Sequence, residues 1–192
     1  MNWNNKKVLV TGGASFIGSH LTEKLVEKGA IVRVAENFSS GDRKHLENVD
    51  CELVEGNLLD SEFCDQATKG MEVVFHLAAD HGGRGYIDSH PVECSTNMIL
   101  DGQVFRHAHQ NGAEKIVFAS SGCVYPTSAQ MDVTKEVFLH EDMVTPPYEA
   151  DDLYGWAKLM AELTLKAYHQ QHGLQTASCR YFTVYGPRCT EN

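Results

Sequence analysis

The sequence predicts a doubly wound α/β domain, in which a parallel sheet is covered by helices on both faces. Two observations predict it. Short apolar runs of strand length alternate with amphipathic helical runs along the chain, and the first strand and first helix are joined by a glycine-rich turn. At 192 residues the chain has the length of one domain with a sizeable buried core.

Taken in order, Lys6 to Thr11 reads as an apolar strand. Ile17, Leu21, Leu25 and Val26 then recur at helical spacing up to Gly29, a residue suited to ending a helix. Ala30 to Ala35 is a second strand, Cys51 to Glu55 a third, Asp60 to Lys69 a helix and Glu72 to Ala78 a fourth strand. A helix from about Val92 to Gln110, a strand at Lys115 to Ser120, a helix from Asp151 to His172 and a strand at Thr176 to Phe182 complete the alternation. Helices between successive strands imply right-handed crossovers and parallel pairing. The long irregular stretches Asn37 to Val49, Asp80 to Pro91 and Gly122 to Ala150 fall at the sheet edge where open α/β folds bind ligands.

Composition narrows the function classes. With 42% hydrophobic and 22% charged residues and only 5 prolines, the chain is not collagenous, low-complexity or largely disordered. Acidic residues outnumber basic ones by 26 to 16, and the resulting field repels phosphate backbones and anionic lipid, so nucleic acid is not an expected partner. No stretch reaches the ~20 apolar residues of a membrane span, and the polar start at Met1 to Lys7 carries no signal-like region. A cytoplasmic protein without a membrane partner is expected. The six cysteines form no C-x-x-C pair, which fits reduced thiols better than a zinc site or a disulfide frame.

Thr11-Gly12-Gly13-Ala14-Ser15-Phe16-Ile17-Gly18 sits between the first strand and first helix, where backbone N–H groups and a helix N-terminus can cradle a pyrophosphate. Ser15 stands in the middle place of the glycine spacing, able either to crowd a phosphate or to bond it. Glu36 ends the second strand, where a carboxylate would hold a ribose 2′-OH and repel a 2′-phosphate. NAD is therefore the expected cofactor, although Arg43 in the following loop is within sequence reach of such a phosphate.

Tyr154 and Lys158 lie four residues apart at the start of a predicted helix and share one face, so that the ammonium can lower the phenol's pKa. Ser120 and Ser121 stand at the carboxyl end of the fifth strand, where a hydroxyl can bond a substrate oxygen. A Ser/Tyr/Lys set over a nicotinamide is chemistry for moving a hydride and a proton from a carbinol.

The segments T-G-G-A-S-F-I-G, H-L-A-A, S-S-G-C-V-Y-P, Y-G-W-A-K and R-Y-F-T-V-Y-G-P, in this order from Val8 to Arg188, resemble the extended short-chain dehydrogenase/reductases, the family of NAD-dependent nucleotide-sugar epimerases, dehydratases and decarboxylases. The resemblance implies a Rossmann domain over residues 1–192, with the family's carboxyl-terminal substrate domain absent or truncated. It implies Tyr154 as base, Lys158 as a ribose-binding and pKa-lowering group, and Ser121 as a substrate-orienting donor. It assigns Gly12, Ala14, Ser15, Phe16, Ile17, Gly18, Glu36, Asn37, Asn57, Leu58, Leu77, Ala78 and Ala79, with Tyr154 and Lys158, to the cofactor. Gly82, Gly83, Ser121, Gly122, Cys123, Tyr154 and Thr183 fall to the substrate. Asn57 replaces an acidic residue of the family near the adenine, and Thr183 replaces its Asn in R-F-x-N-x-Y-G-P.

Gly122-Cys123-Val124-Tyr125-Pro126 carries no acid where dehydratases of the family have Asp-Glu and decarboxylases have Glu. Cysteine is a usable acid/base, since its ordinary pKa of ~8.5 can be drawn toward neutrality by a cation; free cysteine is also often a small buried hydrophobe. The run from Thr68 to Asp88, together with A-S-S-G-C-V-Y-P, resembles the GDP-mannose 3,5-epimerase branch of the family. There a 4-keto sugar forms transiently, the cysteine works with a later lysine on the carbon-bound protons, and NAD is regenerated. A UDP-sugar 4-epimerase and a non-catalytic NAD-binding module or fragment are the alternatives. A nucleotide sugar, GDP- or UDP-linked, is the expected substrate, and by analogy the two long helices form a homodimer.

Other signals read as structural. His107 with His109, and His169 with His172, lack ligand spacing to further donors and read as solvated surface, so no metal is expected. The acidic run Glu141 to Asp152 reads as a solvated loop and Trp156 as packing.

Overall fold

The computed structural model describes residues 2–131, 134 and 136–189. Six parallel strands, β1 (Lys7–Thr11), β2 (Ile31–Glu36), β3 (Glu52–Glu55), β4 (Val73–His76), β5 (Lys115–Ser121) and β6 (Gln175–Tyr181), form one sheet in the order β3-β2-β1-β4-β5-β6. The order reverses between β1 and β4, and this is where the connections leave to opposite faces and open a crevice.

Helices α1 (Phe16–Glu27), α2 (Ser61–Thr68), α3 (Arg84–Ser89), α4 (Pro91–Ser95), α5 (Asn97–Gln110), α6 (Thr127–Gln130) and α7 (Asp152–His172) fill the connections. One core packs Leu25 of α1 against Val8, Val10, Val32 and Val34. The other packs α2, α5 and α7 against the opposite face through Phe105, Phe118, Ile116 and Leu165. Phe105 and Phe118 are fully buried and meet edge to face at 5.5 Å, each ring's burial contributing about 2–3 kcal/mol.

Three expectations are corrected. The stretch from Asp80 to Pro91 contains α3, because Gly83 starts a helical turn in which Tyr86 and Ile87 N–H bond back to its carbonyl. The predicted helix Val92 to Gln110 begins at Pro91 and divides at Thr96. There the Thr96 hydroxyl donates to Glu93 O, and Asn97 clamps the chain at Asp80, accepting from its N–H and donating to its carbonyl, both at 2.8 Å. Strand β4 stops at His76 rather than Ala78, because the N–H groups of Leu77 and Ala78 turn to the Thr11 hydroxyl. Among the described residues no helix is long and apolar enough to cross a membrane.

Candidate active site

The glycine-rich turn runs from β1 into α1. Gly12 has φ +68°, a left-handed conformation that side chains disfavour, and a Cβ on Gly18 would stand 2.0 Å from the Gly12 carbonyl oxygen. These two glycines let the chain fold tightly under the N-terminus of α1. Ala14 is buried in the turn, and the Ser15 hydroxyl donates to Gly12 O at 2.6 Å, so it is folded into the turn rather than projecting from it.

Beside the turn lies a cavity of about 250 Å³, lined by Gly12, Ser15, Glu36, Asn37, Asn57, Leu58, Leu77, Ala78 and Ala79 from among the expected cofactor residues. The turn, the ends of β1, β2 and β4 and the loop after β3 bring these together from four places in the sequence. Phe16, Ile17 and Gly18 form the first turn of α1 and are not among the residues that line the cavity. Ser39, Ser40, Gly56, Leu59, Asp80, His81, Thr96 and Leu100 also line it, and the sequence reading missed them. They sit just past strand ends or at the start of α5, and only the position after a strand could have signalled some of them. The cavity, the glycine cradle and the helix N-terminus fit an extended dinucleotide.

Glu36 is 6% exposed and accepts N–H bonds from Ala14, Asn37 and Phe38 at 3.1 to 3.2 Å, which fixes its carboxylate at the cavity wall. Arg43 is ion-paired with Glu55 and stacks 3.9 Å over the Phe38 ring. Those two partners draw it away from a 2′-phosphate.

The reactive candidates converge at the ends of β5 and α7. The Ser121 hydroxyl accepts from Cys123 N at 3.2 Å and caps the short 3-10 turn Gly122–Val124. The Cys123 carbonyl accepts the N–H of Asp151 at 2.9 Å, and Gly155 packs against that same carbonyl. Tyr154 is thereby held over the turn. Burial pushes its phenol well above the usual range, the Cys123 and Asp101 charges add to that, and the Ser121 hydroxyl acts in the opposite sense. The expectation of a lowered phenol is corrected to this extent: desolvation is the largest influence, and the Tyr154 phenol lies above rather than below its ordinary value. Lys158 is itself 2% exposed and pushed down by burial, with Nζ 4.6 Å from the centre of the Phe118 ring and 5.8 Å from that of Tyr154.

The substrate candidates are less uniform. Gly122 lies under Phe182, and Thr183 is exposed just beyond β6, whose Tyr181 pairs with Ser121. A Cβ on Gly82 would meet the Tyr86 side chain at 2.6 Å, so that glycine serves the packing of its own loop, while Gly83 faces open space. Arg84 ties this loop to the start of α7 through Asp151 and Asp152, so the end of the acidic run is ion-paired rather than free.

Two structural readings are also corrected. His107 is buried at 9% exposure and bonds the Ser61 hydroxyl at 2.9 Å, because it faces α2 rather than solvent. Trp156 is 38% exposed on the outer face of α7. Among the described residues no cluster of three or more His, Cys, Asp or Glu is arranged to hold a metal.

A parallel sheet with a glycine cradle at its switch point, a carboxylate on the next strand and a Ser/Tyr/Lys set across the crevice defines a dinucleotide-dependent enzyme class. Residues 8–192 match the NAD dependent epimerase/dehydratase family, and the chain belongs to that family. Its cofactor is NAD. The chain is 33% identical over 187 residues to GDP-mannose 3,5-epimerase of Arabidopsis thaliana, covering 95% of this chain and 48% of that protein. A crystal structure of UDP-galactose 4-epimerase superposes with TM-score 0.83 at 36% identity, over 96% of this chain and 59% of that one. The NAD complex of Thermus thermophilus UDP-glucose 4-epimerase gives 0.81 at 31%, over 94% and 56%. The chain spans about half the length of the curated relatives it matches.

Proposed function

We propose that residues 1–192 are the NAD-binding Rossmann part of a nucleotide-sugar epimerase that works through a transient 4-keto sugar, in the manner of GDP-mannose 3,5-epimerase. The observation that carries this reading is the meeting of Cys123 with Tyr154 and Ser121, through the contact of Gly155 with the Cys123 carbonyl. A thiol on the turn that bonds Ser121 and packs on the start of α7 gives the site a second candidate proton-transfer group.

NAD, when bound, supplies the hydride acceptor and donor for C4. Tyr154 takes and returns the C4 hydroxyl proton, and Ser121 orients that oxygen. Lys158 holds the ribose and favours the phenolate. Cys123 removes or returns a proton at C3 or C5, which the neighbouring ketone acidifies. Gly12, Ala14, Ser15, Phe16, Ile17, Gly18, Glu36, Asn37, Asn57, Leu58, Leu77, Ala78 and Ala79 hold the dinucleotide. Gly83, Gly122 and Thr183 face the sugar, and Gly82, packed on Tyr86, shapes the loop that carries Gly83.

NMR of GDP-mannose incubated with the full-length protein and NAD in deuterated water tests this. Deuterium at C3 or C5, lost in Cys123→Ser, is the expected result. A UDP-sugar 4-epimerase is the second reading, favoured by the 4-epimerase structures that superpose on this chain. It requires an inverted C4 without deuterium incorporation and an active Cys123→Ser. Cofactor binding without turnover of either sugar would overturn both readings.

The reading includes a homodimer. Its support is the row of exposed apolar side chains Val92, Met98, Ile99, Leu153 and Met160 on α4, α5 and α7. Light scattering showing only monomer at micromolar concentration would remove this part. It also includes a cytoplasmic location, which cysteines without disulfide bonds among the described residues suit.

A further inference from the structure

Behind Tyr154 and Lys158 runs a buried polar chain that the proposed reaction does not use. Thr11, His76 and Asp101 are each at most 1% exposed. The Thr11 hydroxyl accepts the N–H groups of Leu77 and Ala78, both at 3.1 Å, which occupies its two lone pairs. Its own proton therefore goes to His76 Nδ1 at 2.7 Å, leaving Nε2 as the protonated nitrogen that donates to Asp101 Oδ1 at 2.9 Å. The second oxygen, Oδ2, is buried and has no hydrogen-bond partner among the described residues.

A buried carboxylate with one oxygen unbonded is costly unless a cation compensates it. Lys158 presents the complementary difficulty, an ammonium out of water with its Nζ over the Phe118 ring. His76 stacks on that same ring at 5.9 Å, which brings both ends of the problem to one side chain. Burial drives Lys158 toward its neutral form, and the charge of Asp101 opposes that.

We propose that Asp101, held in one orientation by His76 and Thr11, is the buried counter-charge of Lys158 and hence a positioning residue that keeps the ammonium beside Tyr154. The inference deepens the reading above and rests on it for the role of the Tyr154/Lys158 pair, but the charge state it asserts is readable without cofactor or substrate.

The other titratable groups around the pair come from three elements: Cys94 of α4, Cys123 of the turn after β5, and Asp80 and His81 of the loop after β4. The Tyr86 hydroxyl takes up Asp80 at 2.9 Å, and desolvation together with the Lys158 charge pushes the His81 imidazole down. Of these groups and Asp101, it is Asp101 whose charge acts on Lys158.

The test is an NMR titration of the Lys158 side-chain CH2 resonance in the full-length protein, assigned through Lys158→Arg. In Asp101→Asn the Lys158 midpoint is expected to fall by on the order of one pH unit. Asp101→Ser, which keeps an acceptor for His76 but no charge, is the second variant and is expected to do the same. An unchanged midpoint in either folded variant overturns the proposal. The unaltered protein also decides: at pH 7 the Asp101 carboxyl carbon must report an ionised group and Lys158 an ammonium, and a protonated Asp101 or neutral Lys158 overturns the idea. With turnover, both limbs of the pH profile move to lower pH in Asp101→Asn, since Lys158 loses its proton earlier and Tyr154 loses a like-charged neighbour. A purely structural Asp101 would lower kcat without moving either limb. Absence of turnover counts against the proposed function and leaves the titration standing.

Discussion

A methyl group placed on Gly155 would stand 2.5 Å from the carbonyl oxygen of Cys123, so α7 and the turn after β5 touch backbone to backbone. No Cβ tolerates that distance. In an ordinary exposed helix, Gly→Ala stabilises by about 1 kcal/mol. Here Gly155→Ala is expected to destabilise by roughly 1–3 kcal/mol and to separate Tyr154 from Cys123. A thermal melt compared with wild type checks it, and a raised Tm would refute the backbone contact.

A Cβ on Gly18 would likewise stand 2.0 Å from the Gly12 carbonyl oxygen. Gly18→Ala must open the cradle to fit. NAD affinity, measured by calorimetry, is expected to fall at least tenfold, equivalent to about 1.4 kcal/mol. Retained affinity would mean that the turn relaxes without losing its shape.

Arg43, already engaged by Glu55 and Phe38, and the buried carboxylate of Glu36 together disfavour a 2′-phosphate. Tighter binding of NAD than of NADP is the expected outcome. Glu36→Gln should narrow that difference by removing the repulsion while keeping an acceptor for Ala14 N–H. Equal affinities in the unaltered protein would contradict the assignment.

Burial raises the Tyr154 phenol above its unfolded value of about 10, so the neutral form stabilises the fold below that value. This contribution is lost as pH rises from about 10 toward the folded pKa. Tyr154→Phe is therefore expected to lose less Tm than wild type between pH 9 and about 11. Parallel pH curves for the two proteins would show that Tyr154 ionises freely.

Glu162 receives the Ser120 hydroxyl at 2.5 Å and the Arg180 guanidinium at 2.8 Å, with side chains 11% and 17% exposed. Arg180→Met strands the Glu162 charge and is expected to cost on the order of 2–3 kcal/mol, less than for a fully buried pair. The double variant with Glu162→Met should recover part of it. Chemical denaturation of the four proteins closes the cycle, and an additive result would remove the coupling.

Much of the fold was legible because each segment declares itself locally. Val8 to Val10 and Val32 to Val34 read as strands, Leu21 and Leu25 as a helix face, and the glycines of the turn as punctuation. The missed parts were those where a side chain from elsewhere decides the backbone. Helix α3 depends on Gly83 and on packing by Tyr86, the break at Thr96 on the Asn97 clamp to Asp80, and the end of β4 on the Thr11 hydroxyl. His107 looked like surface because helical spacing alone does not say which neighbour, here Ser61 of α2, a face meets.

The same division holds at the site. The residue types and spacing of Gly12, Gly18, Glu36, Ser121, Tyr154 and Lys158 are fixed along the chain, and with them the family and the cofactor. The balance of charge around Tyr154 was not, because desolvation and the reach of Asp101 arise only when β4, α5 and α7 pack together. Local spacing determines which groups are near in sequence, whereas the energy of a buried charge depends on everything that has replaced its water. That replacement is a property of the folded protein alone.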